Sequence, residues 1–260
     1  MYQYTIPSPI SEKDITKLAQ KFVGKKKCQI ILLWVPYQTL ECTIQTFEGT
    51  IENTKTALNI MFREDYLSER DLILMFRPNF LKYPKIDHKP SNLNKFLRRL
   101  SEKEVQSEEI NYETLAKKIT FFSETIQKEL TNLNSAMKDY KDTSIMSRMF
   151  FPSSKELIRL FSRETREIND FIEKEYARLV AMRVVIKMAL NTKVYPQKIN
   201  FKEGDKFFHP YLVIVSNREV FFIDLVKRGK LLKKFMMDPV LSRVTRENEN
   251  ARKKMLQILE

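Results

Sequence analysis

The residues of this chain that are best suited to chemistry are two histidines, two cysteines and four glycines among 260 residues. Phosphate-binding loops need clustered glycines, because only glycine lets the backbone approach a phosphate closely. Here the four glycines stand alone. Cys28 and Cys42 have neither a CxxC pattern nor metal-ligand spacing, and His88 and His209 are far apart in the sequence. These spacings argue against a phosphate-loop enzyme and a metal site, and they predict no cofactor.

Paired carboxylates are the remaining route to catalysis. Glu173 and Glu175, or Asp65 and Asp71, are close enough in sequence to serve as an acid and a base. General acid–base catalysis requires each group to be held in place, and nothing in the sequence orients these four. We therefore predict that the protein is not an enzyme.

The composition points to a cytoplasmic protein with a core of its own. Hydrophobic residues make up 43% of the chain, and two cysteines supply no disulfide framework. The N-terminal residues lack the basic and apolar segments of a signal peptide. The longest apolar run, residues 30–35, is far shorter than the roughly 20 residues needed to span a bilayer. We expect no membrane span.

The net charge of +13 is concentrated in residues 1–27, 82–103 and 226–260. Clustered cations attract phosphates, so these segments predict weak, non-specific contact with nucleic acid. A lysine-rich composition throughout the source proteome is the alternative explanation of the excess. The candidate phosphate contacts are Lys21, Lys25, Lys26, Lys27, Arg98, Arg99, Lys227, Arg228 and Lys230.

The N-terminal part predicts a helix followed by a small sheet. Ser11 is a suitable N-cap, and Gly24 is a natural stop for the helix between them. Residues 28–35 form an apolar run. Residues 36–38 are predicted to form a turn, followed by a strand in which apolar and polar residues alternate from Leu40 to Gln45. Three more strand-like segments follow at 51–54, 57–62 and 72–76. Five short strands in this space predict a small antiparallel barrel or meander.

Two long helices are predicted in the middle of the chain, over residues 111–140 and 155–190. Ser153 and Glu156 form a capping box at the start of the second helix. An apolar stripe with near-heptad spacing follows the first helix, which is typical of helix–helix packing. Its members are Leu115, Ile119, Phe122, Ile126, Leu130, Leu133, Met137 and Tyr140. The stripe up to Met137 predicts a homo-oligomer interface, and packing against the chain's own sheet is the alternative.

The C-terminal part returns to sheet. Residues 211–215 and 219–225 predict a hairpin, and a basic turn at 227–230 leads to a third strand at 231–235. Asp238 and Pro239 predict the start of a final helix. The whole is an α+β fold in four segments: a β domain at 1–82, a basic linker with a short helix at 83–110, a helical hairpin at 111–192, and a β-meander plus helix at 193–260.

Residues 21–77 resemble a PilZ domain, a bacterial β-barrel that binds cyclic di-GMP. Lys21 and Lys25 have the spacing of that family's paired arginines, and Asn53 stands at the first position of its second motif. Lysine lacks the planar bidentate contact that arginine makes to phosphate. Lys55 and Leu58 replace the serine and glycine of the second motif. The resemblance therefore implies a PilZ-like adaptor that has lost cyclic di-GMP binding.

Together these features predict a non-enzymatic adaptor or regulatory protein that acts through protein–protein contacts and self-associates. The alternative is a nucleic-acid-binding protein that uses its basic segments. The sequence does not identify the partner.

Overall fold

The computed structural model describes residues 2–24, 27–150, 155–216, 219–226 and 237–259, and it shows an α+β fold built on one curled, seven-stranded sheet. The strands are β1 (Gln3–Thr5), β2 (Gln29–Thr46), β3 (Ile51–Asn59), β4 (Lys85–Ile86), β5 (Ser101–Glu104), β6 (Pro196–Ser216) and β7 (Glu219–Asp224). The helices are α1 (Glu12–Val23), α2 (Glu69–Leu74), α3 (Tyr112–Phe150), α4 (Lys155–Ala189), α5 (Pro239–Glu247) and α6 (Glu249–Leu259). Short 3₁₀ turns lie at Glu64–Tyr66, Pro78–Lys82 and Leu97–Arg99.

The antiparallel pair β2 and β6 forms the centre of the sheet, and each strand changes its outer neighbour at a proline. β2 pairs with β5 as far as Trp34 and with β3 from Tyr37 onward. Pro36 lies at this junction, where no ladder needs its missing N–H. β6 changes from β1 to β7 around Pro210 in the same way. Both prolines therefore fit inside long strands.

The burial of β2 explains its two sequence patterns. Its residues from Ile31 to Gln38 are buried on both faces, whereas from Leu40 to Thr46 buried and more exposed residues alternate. One face of the sheet is covered by the long helices together with α5 and α6. The other face is covered near Trp34 by α1 and the segment around Leu97. A continuous apolar run and an alternating one thus occur in a single strand.

Several predicted elements need correction. Residues 36–38 do not turn; they continue β2, because their hydrogen bonds to β6 are unbroken there. Of the predicted strand at 72–76, residues 72–74 belong to helix α2, which the Ser68 hydroxyl caps by accepting from the Asp71 N–H at 3.2 Å, and Phe76 makes an isolated β-bridge to Leu58. The first half of β6 was not predicted at all.

The predicted division into separate N-terminal and C-terminal β domains is also wrong for the sheet. β6 lies between β2 and β1, so residues from both ends of the chain share one set of ladders. The close crossing of β2 and β6 at Thr39 depends on Gly204, because a Cβ there would collide with the Thr39 side chain. The register shifts at this point. The third strand predicted at 231–235 and the turn before it lie outside the described residues.

The two long helices are confirmed, and both are fixed to the sheet at one end. The Asn111 side chain caps α3 by accepting from the Thr114 N–H at 2.9 Å. α4 ends at Ala189, and Asn191, two residues further on, adopts a left-handed φ of 55°, the conformation that usually falls to glycine after a helix end. Thr56 of β3 donates its hydroxyl to the Ala189 carbonyl at 2.6 Å and so satisfies a terminal acceptor of α4.

The helix start at Asp238 is confirmed, but the C-terminal helix is divided in two. The Asp238 carboxylate accepts from the Val240 and Leu241 N–H groups and caps α5. Asn248 is extended, and its side chain accepts from the Ala251 N–H at 3.0 Å to cap α6. A new cap therefore starts a second helix.

Candidate functional site

The described side chains of the helical hairpin of α3 and α4 are buried at its base and become more exposed toward residues 138 and 166. The predicted stripe on α3 is partly internal: Leu115, Ile119, Ile126 and Leu130 are buried within the chain, and Phe122, Leu133 and Met137 are partly buried. The four buried residues are not available to a second copy. Their packing within the chain is the alternative that the sequence leaves open, and an interface through the rest of the stripe stays a prediction.

On α4, the residues that face the core recur every seven positions, at Ile172, Leu179 and Ile186. Toward the tip, the described side chains at 166–171 are exposed or partly buried. Ile168 lies one turn before Ile172 on the same side of the helix and is 52% exposed, and Phe171 is 64% exposed. The apolar seam thus continues past the part of the hairpin that the rest of the chain covers.

A buried polar cluster lies at the junction of the sheet with α5. Arg77 and Asp238 form an ion pair with both side chains largely buried, at 3.2 Å. The Tyr211 hydroxyl donates to the same carboxylate at 3.2 Å and is 3.0 Å from the Tyr37 hydroxyl. The Asn59 amide donates to the Tyr37 oxygen at 3.2 Å.

The protonation of this cluster follows from its burial and its charges. Burial raises the pKa of the Tyr37 and Tyr211 phenols, so neither ionises near neutral pH. Burial alone would raise the pKa of Asp238, but the Arg77 charge and the hydrogen bonds from the Leu241 N–H and Tyr211 outweigh it and lower that pKa. The groups neutralise one another, which suits a structural role better than proton transfer.

The second buried polar pair is His209 with Asp224. His209 is fully buried, and its Nε2 lies 2.8 Å from Asp224 Oδ1. The imidazole stacks on the Phe80 ring, with centroids 3.9 Å apart. Asp224 also accepts from the Val226 N–H at 2.8 Å. This pair joins β6 to the last residue of β7, while His88 is exposed and far from it in sequence.

The carboxylate pairs proposed from the sequence do not form sites. Glu173 accepts from Asn169, whereas Glu175 pairs with Arg178 at 2.7 Å. Asp65 pairs with Arg63, and Asp71 pairs with Arg243 across the chain. Each carboxylate therefore has a separate structural partner, and no two of them face each other.

The basic candidates fall into two groups. Lys25, Lys26, Lys227, Arg228 and Lys230 lie outside the described residues. Of the others, Arg99 pairs with Glu12 of α1 at 2.7 Å, and Arg98 donates to the Ser91 carbonyl. Lys21 and Lys27 are exposed at the end of α1 and just before β2. The structure thus places α1 and the segment of Arg98 and Arg99 on the same face of the sheet.

The two ends of the PilZ-like pattern lie far apart. α1, which carries Lys21, packs against the sheet near Trp34, whereas Asn53 of β3 pairs with Thr43. Nine residues of strand separate Trp34 from Thr43, or about 30 Å. Asn53 is exposed, and its side-chain oxygen accepts from the Thr43 hydroxyl at 3.0 Å. Lys21 and Asn53 therefore do not share a site.

The cysteines lie near opposite ends of the central strand. Cys42 is buried in β2 and Cys28 immediately precedes that strand, so both thiols are free. Burial raises the pKa of the Cys42 thiol to about 12, which leaves it protonated and unreactive. Within the described ranges, no three metal-ligating side chains cluster.

No helix in the described part of the chain is both long enough and apolar enough to cross a membrane. Comparison with protein families, with curated proteins and with solved structures found no match to this chain. Among the described residues, the α3–α4 hairpin leaves the apolar side chains of Ile168 and Phe171 exposed.

Proposed function

We propose that the protein is a non-enzymatic adaptor or regulatory protein, in which the α3–α4 hairpin makes the protein–protein contacts. The observation that carries this proposal is the uncovered continuation of the apolar seam at Ile168 and Phe171. Isolated exposed apolar residues are common on protein surfaces, but Ile168 lies on the same helix face as the buried Ile172 one turn further on, and Phe171 flanks that face.

The length of the helices supports the same proposal. The last described side chain of α3 that is buried is Leu130, and the first one of α4 is Ile172. α3 continues for 20 residues beyond Leu130, which corresponds to about 30 Å of helix. We call the part of the hairpin beyond Leu130 and before Ile172 the distal arm. Its described residues on α3, at 131–138, are exposed or partly buried, so they contribute little to the core. Contact with a second copy of the hairpin would bury its apolar residues.

Solution mass tests the proposal directly. For a chain of 31.0 kDa, we expect light scattering after size exclusion to give a mass near twice this value at high micromolar concentration. Replacing Ile168 and Phe171 together with glutamate should return the mass to that of one chain, because a charge at each position would be buried in the interface.

The matched control is Phe121→Glu, which places the same charge at an apolar residue of similar exposure, 66%, on the basal half of α3. It should leave the mass unchanged. A wild-type chain that stays at 31.0 kDa throughout the concentration range, or a control that lowers the mass equally, would contradict self-association through the distal arm.

A nucleic-acid-binding function is the second proposal, and one observation favours it. Lys21 of α1 and the pair Arg98 and Arg99 belong to two segments that lie together over one face of the sheet, with Arg99 linked to Glu12. Lys27 just precedes β2. Phosphate binding falls steeply with salt, by orders of magnitude between about 50 and 200 mM when six or more contacts form. Submicromolar retention of RNA or DNA at the higher salt would favour this function over the adaptor.

A further inference from the structure

α4 has a second apolar face, which lies opposite the one that enters the core. We call it the outer stripe; its members are Ala177, Val180, Ala181, Val184 and Met188, all of them exposed. At 100° per residue, Val184 and Met188 lie roughly opposite Leu179 and Ile186, which are buried. Val184 is 50% exposed and Met188 67% exposed.

The spacing of the outer stripe is that of a helix-packing surface. Ala177, Ala181, Val184 and Met188 are separated by four, three and four residues, which is the alternation that lets one helix pack along another. The alanines allow a close approach of the two backbones. The stripe spans 12 residues, from Ala177 to Met188, or about 17 Å between its ends, which matches three turns of a partner helix.

The basal end of the outer stripe opens into a cavity of about 920 Å³. Val184 and Met188 line it from α4, and Phe76, Val226 and Val240 line the opposite wall. The stripe and the cavity therefore form a continuous apolar path from an exposed helix face into a recess. Large side chains at one end of a docked helix would fit this recess.

Charge distinguishes the two ends of this path. Lys187 and Lys193 stand at the cavity, and neither makes an ion pair with any described residue. At the other end, the exposed carboxylates of Asp170 and Glu173 lie on the side of α4 that carries the stripe. A partner that complements this pattern has acidic residues over Lys187 and Lys193.

We propose that the outer stripe and its cavity dock an amphipathic helix of a different protein, one whose apolar side chains follow heptad spacing and whose end at the cavity is acidic. This inference rests on the proposed adaptor function, and it supplies the partner site that the distal arm does not. A helix is favoured over an extended strand because α4 offers side chains and no open backbone edge.

The test uses the full chain and two synthetic 18-residue peptides, each labelled with a fluorophore and carrying leucine at four heptad positions. The first probe has glutamates at one end, and the second has lysines in their place. Fluorescence anisotropy at low salt should show the acidic probe binding at least tenfold more tightly. Met188→Glu should weaken its binding at least tenfold, and Phe121→Glu should not.

A charge exchange tests the acidic end specifically. Replacing Lys187 and Lys193 with glutamate should reverse the preference, so that the lysine probe becomes the tighter ligand. Circular dichroism and solution mass of each variant verify that the fold and the distal contact persist. Equal binding of the two probes, or binding of neither, would overturn the proposal.

The same variants show whether a second copy of this chain, instead of a different protein, occupies the outer stripe. If Met188→Glu lowers the solution mass while Ile168→Glu leaves it unchanged, then the stripe is a self-interface and the proposal is wrong. If the peptide binds as expected but the chain is monomeric, then the distal-arm contact fails and the docking site stands.

Discussion

Replacing Arg77 with leucine should reveal how much of the fold depends on one buried ion pair. The Arg77 guanidinium is 3.2 Å from both carboxylate oxygens of Asp238, and the side chains are only 15% and 7% exposed. Leucine leaves the carboxylate buried with the Tyr211 hydroxyl and two backbone N–H groups but without a cation.

The expected loss of stability follows from the Asp238 charge that remains buried without its partner. Removing one partner of a buried pair typically costs about 3–5 kcal/mol, because the other charge stays without compensation. Such a loss is a large share of the roughly 5–15 kcal/mol that stabilises a domain. Asp238→Asn in the same background removes the stranded charge and keeps a cap for α5. The double variant should therefore be more stable than the sum of the two single losses predicts.

The pH dependence has a definite sign. The pKa of Asp238 is lowered in the folded chain, so the stability that this group contributes is present above its ordinary value of 3.8. It is lost as the pH falls through the lower, folded value. In Arg77→Leu the main cation that lowers this pKa is absent, so the loss of stability on acidification that is due to Asp238 should be smaller than in the wild type.

Urea unfolding measures each of these differences, with the fluorescence of Trp34, the single tryptophan, as the signal. Trp34 is buried and donates to Glu102 at 2.7 Å, so unfolding exposes it. A loss below about 1 kcal/mol for Arg77→Leu, or strict additivity in the double variant, would refute the view that the pair is electrostatically coupled.

Three further predictions concern single side chains. Ellman's reagent should modify Cys28 in the native chain while Cys42, with its pKa raised to about 12, reacts only on unfolding; rapid modification of both would disprove this. Asn191→Ala should cost about 1 kcal/mol in urea unfolding because alanine resists a left-handed φ, and Asn191→Gly should cost less. Ile119→Ala should cost about 2–5 kcal/mol by emptying a buried site, whereas Phe121→Ala should be close to neutral; equal losses would contradict the assigned helix faces.

Part of the fold could be read from the sequence because burial determines its patterns. The apolar run before Pro36 and the alternation after it both predict strands. The run reflects a stretch of β2 covered on both faces, and the alternation reflects a stretch covered on one face. The sequence does not show that the two stretches form one strand, because a proline between them suggests a turn unless the change of neighbouring strand is known. The first half of β6 had a signal in Ile199 and Phe201, which alternate with polar residues.

The candidate sites were less predictable for a physical reason. The Arg77–Asp238 pair joins residues 161 positions apart, and no local pattern indicates such a pair. The sequence does contain a sign of the outer stripe. Apolar residues surround α4 from Ala177 to Leu190, so one buried face alone does not account for them. Which face remained uncovered depended on the tertiary packing.

Along the chain, the α3–α4 hairpin lies between β2 and β6, which are neighbours in the sheet, and this order has a consequence for folding kinetics. Thr39 of β2 bonds to Asp205 of β6 at 3.0 Å across 166 residues of chain, and α3 and α4 occupy much of that interval. Closing so long a loop in a disordered chain is entropically costly, but a helical hairpin forms from local contacts and shortens the effective loop. Residues at the base of the hairpin should therefore affect the rate of folding, whereas a change in the length of its distal arm should hardly affect that rate.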